Sequence, residues 1–207
     1  MKNKFIGMLL VFVLLLTSCC PIVAFAEIPK AYGDIDEIWG YLTEYCPNEQ
    51  IAAGIFGFFF RESRLKSDSV AGWPFRNIGL DADICESFTG EVDKGLKDGS
   101  TREYFIDQVN VHLGGYGLGQ WSAVVYLEHF YDFMSEHADS IGDVKGQCEF
   151  IVESLKRNEE LWEDLLTCNT AMQCGRRIGY RYDCTDYDGA EAIAAFADYF
   201  YRHLKEE

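Results

Sequence analysis

The chain has 207 residues, 34 acidic against 18 basic side chains, a net charge of −16 and 15% aromatic residues. That charge argues against a nucleic-acid partner, whose phosphates demand a basic surface, and against simple electrostatic adhesion to an anionic envelope. The length suits one domain with a real core, and no internal repeat, low-complexity block or Pro-rich linker divides it.

Lys2 and Lys4 precede an apolar run, Phe5 to Leu16, interrupted only by Gly7. A run of about a dozen residues is too short to span a bilayer but fits the core of a secretory signal. Ala24-Phe25-Ala26 supplies the small-x-small cleavage pattern, so residues 1–26 read as a signal peptide and 27–33 as a lead-in. Loss of Lys2 and Lys4, with no acid lost, takes the charge from −16 to −18. Leu16-Thr17-Ser18-Cys19 is a competing lipobox that would anchor the chain through a lipidated Cys19. Cleavage after Ala26 leaves an even set, Cys46, Cys85, Cys148, Cys168, Cys174 and Cys184. The lipobox leaves Cys20 over. Parity therefore favours free secretion, a disulfide-bonded domain and no stable membrane span.

Asp34 is placed to cap a first helix with Ile35, Ile38, Leu42 and Tyr45 as its apolar stripe. Pro47-Asn48 breaks the chain and starts a second, with Ile51, Ile55, Phe58, Phe59 and then Glu62 on one face. Residues 66–100, rich in Gly, Asp and Ser, read as loop with short elements. Residues 101–113 are ambiguous. Phe105, Val109 and His112 suit a helix, whereas Phe105, Asp107, Val109, Val111 and Leu113 alternate like a strand. Gly114 to Gly117 is a turn. Helical patterns follow at about 122–137, 141–157 and 189–204, with a shorter one around 169–180. The fold class is mainly α, with a small β-hairpin between the second helix and the Gly-rich turn as an option.

Glu62 extends an apolar stripe near the C-terminal end of its helix. Desolvation and the helix dipole both favour a protonated carboxyl there, which is what a general acid needs to protonate a glycosidic oxygen. The plainer alternative is a solvated helix-end residue paired with Arg61 or Arg64. In Gly115-Tyr116-Gly117-Leu118-Gly119-Gln120-Trp121, alternating glycines allow close backbone approach to a ligand. Tyr116 and Trp121 offer flat faces for sugar rings, and Gln120 offers a donor and an acceptor. The alternative is an ordinary turn with a Trp entering the core.

Together, Ala53-Gly54-Ile55-Phe56-Gly57, then Glu62-Ser63, then Gly115 to Trp121 resemble the phage-tail lysozyme family, peptidoglycan-cleaving domains of the lysozyme-like, lytic-transglycosylase-like group. Gln147-Cys148-Glu149-Phe150-Ile151, and Tyr180 followed by a closing helix, extend the resemblance over about residues 34–204. It implies an α+β lysozyme-like domain over 34–207. It also implies Glu62 as catalytic acid, Ser63 in support, and Gly117, Gln120 and Trp121 in the glycan cleft. Three departures stand out: about fifty residues separate Glu62 from the Gly-Gln-Trp motif, Tyr180-Arg181-Tyr182 replaces the usual Tyr-Glu-Arg, and the chain is strongly acidic.

A hydrolase needs a second carboxylate, and Asp68, Asp81, Asp83 and Asp107 lie between the motifs. A lytic transglycosylase needs only one Glu, with the sugar's C6 hydroxyl attacking. The cysteines lack the spacing of a zinc site, and neither they nor His112, His129, His137 and His203 suggest a metal or cofactor. The expected function is an exported glycosidase acting on peptidoglycan glycan strands. The alternatives are a non-catalytic glycan-binding or effector domain on the same scaffold, and a disulfide-bonded toxin or inhibitor.

Overall fold

The computed structural model describes residues 31, 33–70 and 82–204. The signal peptide, Cys19 and Asp81 lie outside the described residues. The helices are α1 (Ile35–Tyr45), α2 (Glu49–Ser63), α3 (Ala82–Asp93), α4 (Arg102–Asp107), α5 (Val124–His137), α6 (Val144–Arg157), α7 (Glu159–Leu166), α8 (Ala171–Arg181) and α9 (Tyr187–His203). No helix among the described residues is long and apolar enough to cross a membrane.

Most helices start where a short polar side chain satisfies a free backbone N–H. Asp34 accepts from Glu37 N at 3.0 Å, Asn48 from Ile51 N at 2.9 Å and Asp186 from Gly189 N at 2.9 Å. Asn158 does the same for α7, accepting from Leu161 N at 3.2 Å. Helix α7 has no counterpart in the sequence reading, because its core contact is a single pair, Leu161 and Leu165, too short a run to show a period.

Helix α2 is the centre of the molecule. Its expected apolar stripe is in fact a whole circumference: every residue from Ile51 to Phe60 is buried. Helices α1, α8 and α9 pack around it. Two glycines make that closeness feasible. A Cβ on Gly57 would lie 2.6 Å from Ile193 O and Ala197 N of α9, and one on Gly54 would lie 2.8 Å from Cys174 Cβ of α8. The helix then stops abruptly at Arg64 and Leu65, both left-handed at φ 55° and 69°.

Residues 101–113 resolve as helix, not strand. Phe105 and Val109, one turn apart, are both fully buried, whereas Val111 is 53% exposed. After α4 the chain widens to a π-helix over Gln108–Leu113, which ends where Gly114 N donates to Val109 O at 2.8 Å. The stretch read as loop contains the twelve-residue α3. Extended pairing among the described residues is limited to two isolated antiparallel bridges, Val70 with Tyr116 and Tyr116 with Trp121. The optional hairpin between α2 and the Gly-rich motif is reduced, among the described residues, to these two bridges.

An aromatic cluster fills the space between α3, α5 and α6. Trp121 stacks on Phe130 at 4.6 Å and meets Phe150 edge-on at 5.1 Å. Phe105 meets Tyr116 edge-on at 5.4 Å. Aromatic pairs in such geometries add ~0.5–1.5 kcal/mol each beyond the burial of their area.

Candidate active site

Glu62 sits in the last turn of α2 with 19% of its side chain exposed. It forms an ion pair with its neighbour Arg61. The same Arg61 Nη1 reaches Asp183 Oδ2 at 3.3 Å, and Arg61 Nη2 donates to Thr185 Oγ1 at 3.1 Å. One guanidinium therefore joins the end of α2 to the loop between α8 and α9. The loop is shaped for this: Asp183 N and Thr185 N donate to Ile178 O and Gly179 O, each at 3.0 Å, and Cys184 turns the chain at φ 52°. Gly189, in the first turn of α9, leaves room for the guanidinium, since a Cβ there would lie 2.8 Å from Arg61 Nη2. Burial raises the carboxyl of Asp183 above its ordinary value, against the opposing pull of Arg61.

The other residues expected at a cleft have a different place. Ser63 is buried and donates to Phe59 O at 3.1 Å, closing the helix on itself. Tyr116 is fully buried, its hydroxyl hydrogen-bonded to Thr89 Oγ1 at 2.7 Å. Trp121 is 4% exposed. Their rings are core surfaces, so the expected stacking platforms are not open to a sugar. Gly117, at φ 77°, is buried against Gln147, whose Oε1 would lie 2.6 Å from a Cβ there. Gln120 faces inward, donating from Nε2 to Ser69 O at 3.1 Å and Gly117 O at 2.8 Å. Gly117 N also donates to Ser69 O at 2.8 Å.

Gln147, fully buried, completes this clasp. Its Oε1 accepts from Leu118 N at 2.8 Å, and its Nε2 donates to Ser67 O at 2.8 Å and Ile141 O at 3.0 Å. The motif therefore serves to hold the segment that leaves α2. Trp121 adds a second tie: its Nε1 donates to Tyr182 Oη at 3.1 Å. Tyr182 packs edge-on against Phe58 of α2, and the next residue is Asp183. The two sequence motifs thus connect through the α8–α9 loop.

Among the expected second carboxylates, Asp68 pairs with Lys66 at 3.4 Å. Asp107 is exposed at the end of α4. Asp83 is exposed in the first turn of α3, beside a surface hollow of about 410 Å³ lined also by Ile84, Phe88 and Tyr104. The carboxylate across Arg61 from Glu62 is Asp183, which sequence reasoning missed. The only local signal was its position directly after Tyr180-Arg181-Tyr182, and nothing in that stretch reveals a partner 122 positions away. Sequence reasoning also passed over exposed aromatic residues near this loop. Tyr126, 43% exposed, meets Tyr182 at 5.9 Å, and Tyr180 and Tyr187 are 40% and 65% exposed.

Among the described residues, no group of three or more His, Cys, Asp or Glu side chains is placed to hold a metal ion. The six cysteines from Cys46 onward are free thiols in this structure, so the expected disulfides are not formed in it.

No curated protein and no solved structure matches the chain. The family profile described as phage tail lysozyme does match, over residues 35–206, a span that takes in α1 through α9, Glu62 and the Gly-Gln-Trp motif. The chain belongs to the phage tail lysozyme family.

Proposed function

We propose that this protein is an exported peptidoglycan-cleaving glycosidase that acts on the β-1,4 glycan strand with Glu62 as proton donor. The observation that carries the reading is the placement of Glu62. In a chain of this family, a carboxyl stands at the half-buried end of a helix buried from Ile51 to Phe60, one guanidinium away from a second carboxyl. Two acceptors on one guanidinium nitrogen lie about 5–6 Å apart at most. That bound allows the spacing of about 5–5.5 Å between the paired carboxylates of retaining glycosidases, so Asp183 joins Asp68, Asp81, Asp83 and Asp107 as a candidate second carboxylate.

For Glu62 to donate its proton, Arg61 must release it. Asp183 and Thr185 already hold the other contacts of that guanidinium and are its natural resting place. Glu62 then protonates the glycosidic oxygen as the bond to the anomeric carbon breaks. Either water or the sugar's own C6 hydroxyl completes the reaction. Exposed Tyr126, Tyr180 and Tyr187 supply the flat faces that Tyr116 and Trp121 do not. Export is supported by the leader pattern of residues 1–26 and would put the domain on the side of the membrane where peptidoglycan is. Mass spectrometry of the mature N-terminus tests it: Glu27 is expected, and a lipidated Cys19 would replace secretion by anchoring.

The test of function is digestion of purified peptidoglycan by wild type and Glu62→Gln. Wild type is expected to release muropeptides and the variant none; equal release by both would remove Glu62 from the reaction. Reducing muramic ends would show hydrolysis, and anhydro-muramic ends transglycosylation. The Arg61–Glu62 ion pair favours one rival, a glycan-binding domain whose acid is no longer used. Binding of wild type to peptidoglycan without release would establish it.

A further inference from the structure

Two of the six thiols are set apart from the rest. Cys168 lies in the turn between α7 and α8, and Cys174 in the second turn of α8. Both converge on one carbonyl: Leu165 O accepts from Cys168 N at 3.0 Å and from the Cys174 thiol, whose Sγ is 4.0 Å away. Arg177, one turn further along α8, donates from Nη1 to Cys168 Sγ at 3.1 Å and to Thr167 Oγ1 at 2.9 Å. Its position is fixed by an ion pair with Asp164 at 3.2 Å.

The pair is asymmetric. Cys168 is 9% exposed between exposed Thr167 and Asn169, while Cys174 is fully buried against Gly54 of α2. The neighbouring Cys174 thiol and the charge of Arg177 hold Cys168 below the usual thiol range, and the proximity of Cys168 together with burial pushes Cys174 up. One thiol thus lies just beneath the surface next to a cation, and the other waits behind it, which is the arrangement of an attacking and a resolving cysteine. The other thiols lack these features. Burial pushes Cys46 up to about 12 and Cys148 higher still, and exposed Cys184 faces its own chain at Tyr182 O, 3.9 Å away.

We infer that Cys168 and Cys174 form a thiol–disulfide exchange site, with Cys168 as the attacking sulfur and an aliphatic disulfide as the oxidant. The Cys168 thiolate attacks one sulfur of the donor. The donor's S–S bond breaks, and the first leaving thiolate takes up a proton equivalent to the one Cys168 lost. Cys174 then loses its proton to solvent and attacks Cys168 Sγ, expelling the second thiolate. The two cysteines give up two electrons and two protons, and the donor leaves as two thiols. The closed bridge staples the α7–α8 turn to the helix that packs on Gly54. This site is independent of the proposed glycosidase reaction and stands or falls without it.

The experiment uses oxidised glutathione as the donor and unreduced peptide mapping as the readout. Wild type is expected to lose two hydrogens and to yield a peptide linking Cys168 with Cys174. Cys174→Ser should stop at a glutathione adduct on Cys168, and Cys168→Ser should leave Cys174 unmodified. Arg177→Gln is expected to slow closure by about three- to tenfold at neutral pH, with recovery at higher pH, while Arg177→Lys keeps most of the rate. Failure of wild type to form the link while it remains folded would overturn the inference. So would a link from Cys168 to Cys184, or a glutathione adduct on Cys174 in the Cys168→Ser variant.

Discussion

The end of α2 and the Gly115–Trp121 motif are the two most telling stretches of this sequence, and they work in opposite ways. At Glu62 the chain keeps carboxyl and guanidinium groups half-exposed and tied by ion pairs that can be exchanged. At the motif it buries two aromatic rings and closes backbone and amide hydrogen bonds inward. One region keeps its charged groups within reach of solvent, and the other fixes the segment that leaves it. A motif shared within a family can therefore mark a brace as readily as a binding surface.

That division is broken or sharpened by substitutions on each side. The largest effect is expected from pairing Glu62→Gln with Trp121→Ala. The first should cost about 10²–10⁴-fold in muropeptide release with little change in melting temperature. The second should cost about 3–5 kcal/mol of stability, seen in urea unfolding, because a packed indole leaves a cavity. If Glu62→Gln destabilised as much as Trp121→Ala, the two regions would not differ in kind.

Gln147→Leu comes next. It strands Leu118 N–H in the core and removes the donor to Ile141 O and half-buried Ser67 O, at about 1–3 kcal/mol, and calorimetry should register the loss even where activity survives. Tyr182→Phe is milder, about 0.5–1.5 kcal/mol, because it removes one hydroxyl, the acceptor for Trp121 Nε1 and a partner of Ser154. It cuts the tie between the two regions, so turnover should fall further than stability does.

The smallest effect on stability belongs to Asp183→Asn and is a matter of pH. The folded carboxyl is raised above its unfolded value, with burial as the main cause. Its charge therefore lowers stability above the folded pKa, and that loss fades as pH drops through the folded pKa toward about 3.9. The Asn variant should melt higher than wild type at neutral pH, with the gap closing on acidification. A gap that widened on acidification would mean that attraction to Arg61 dominates instead.

Helix starts were legible because a cap and its first turn are local: Asp34, Asn48 and their partners lie three residues apart. Glu62 was legible for the same reason, as a charge at the end of an apolar run. Its surroundings were not. Arg61 meets Asp183 across 122 positions, and Trp121 meets Tyr182 across 61. No periodicity encodes such meetings. Nor could spacing tell a Trp that lines a groove from one that fills a core, since both read as an aromatic residue beside glycines. Residues 101–113 read as either helix or strand because the π-helical widening after α4 spoils the helical period at Val111 and Leu113 while leaving Phe105 and Val109 in phase.

The clasp of Gln120 and Gln147 bears on how this molecule can vary. The chain departs at Ser69–Val70 and returns at Tyr116–Gly117, and the departure and return points touch through the Val70–Tyr116 bridge and the bond from Gly117 N to Ser69 O. The base of the segment between them is therefore closed, while its helices α3 and α4 carry Phe88, Val92 and Phe105 into the core. A change in those helices is felt first in the core and at the Val70–Tyr116 bridge, and reaches the end of α2 through the clasp. Any redesign of the segment has to keep its core face and the two glutamines.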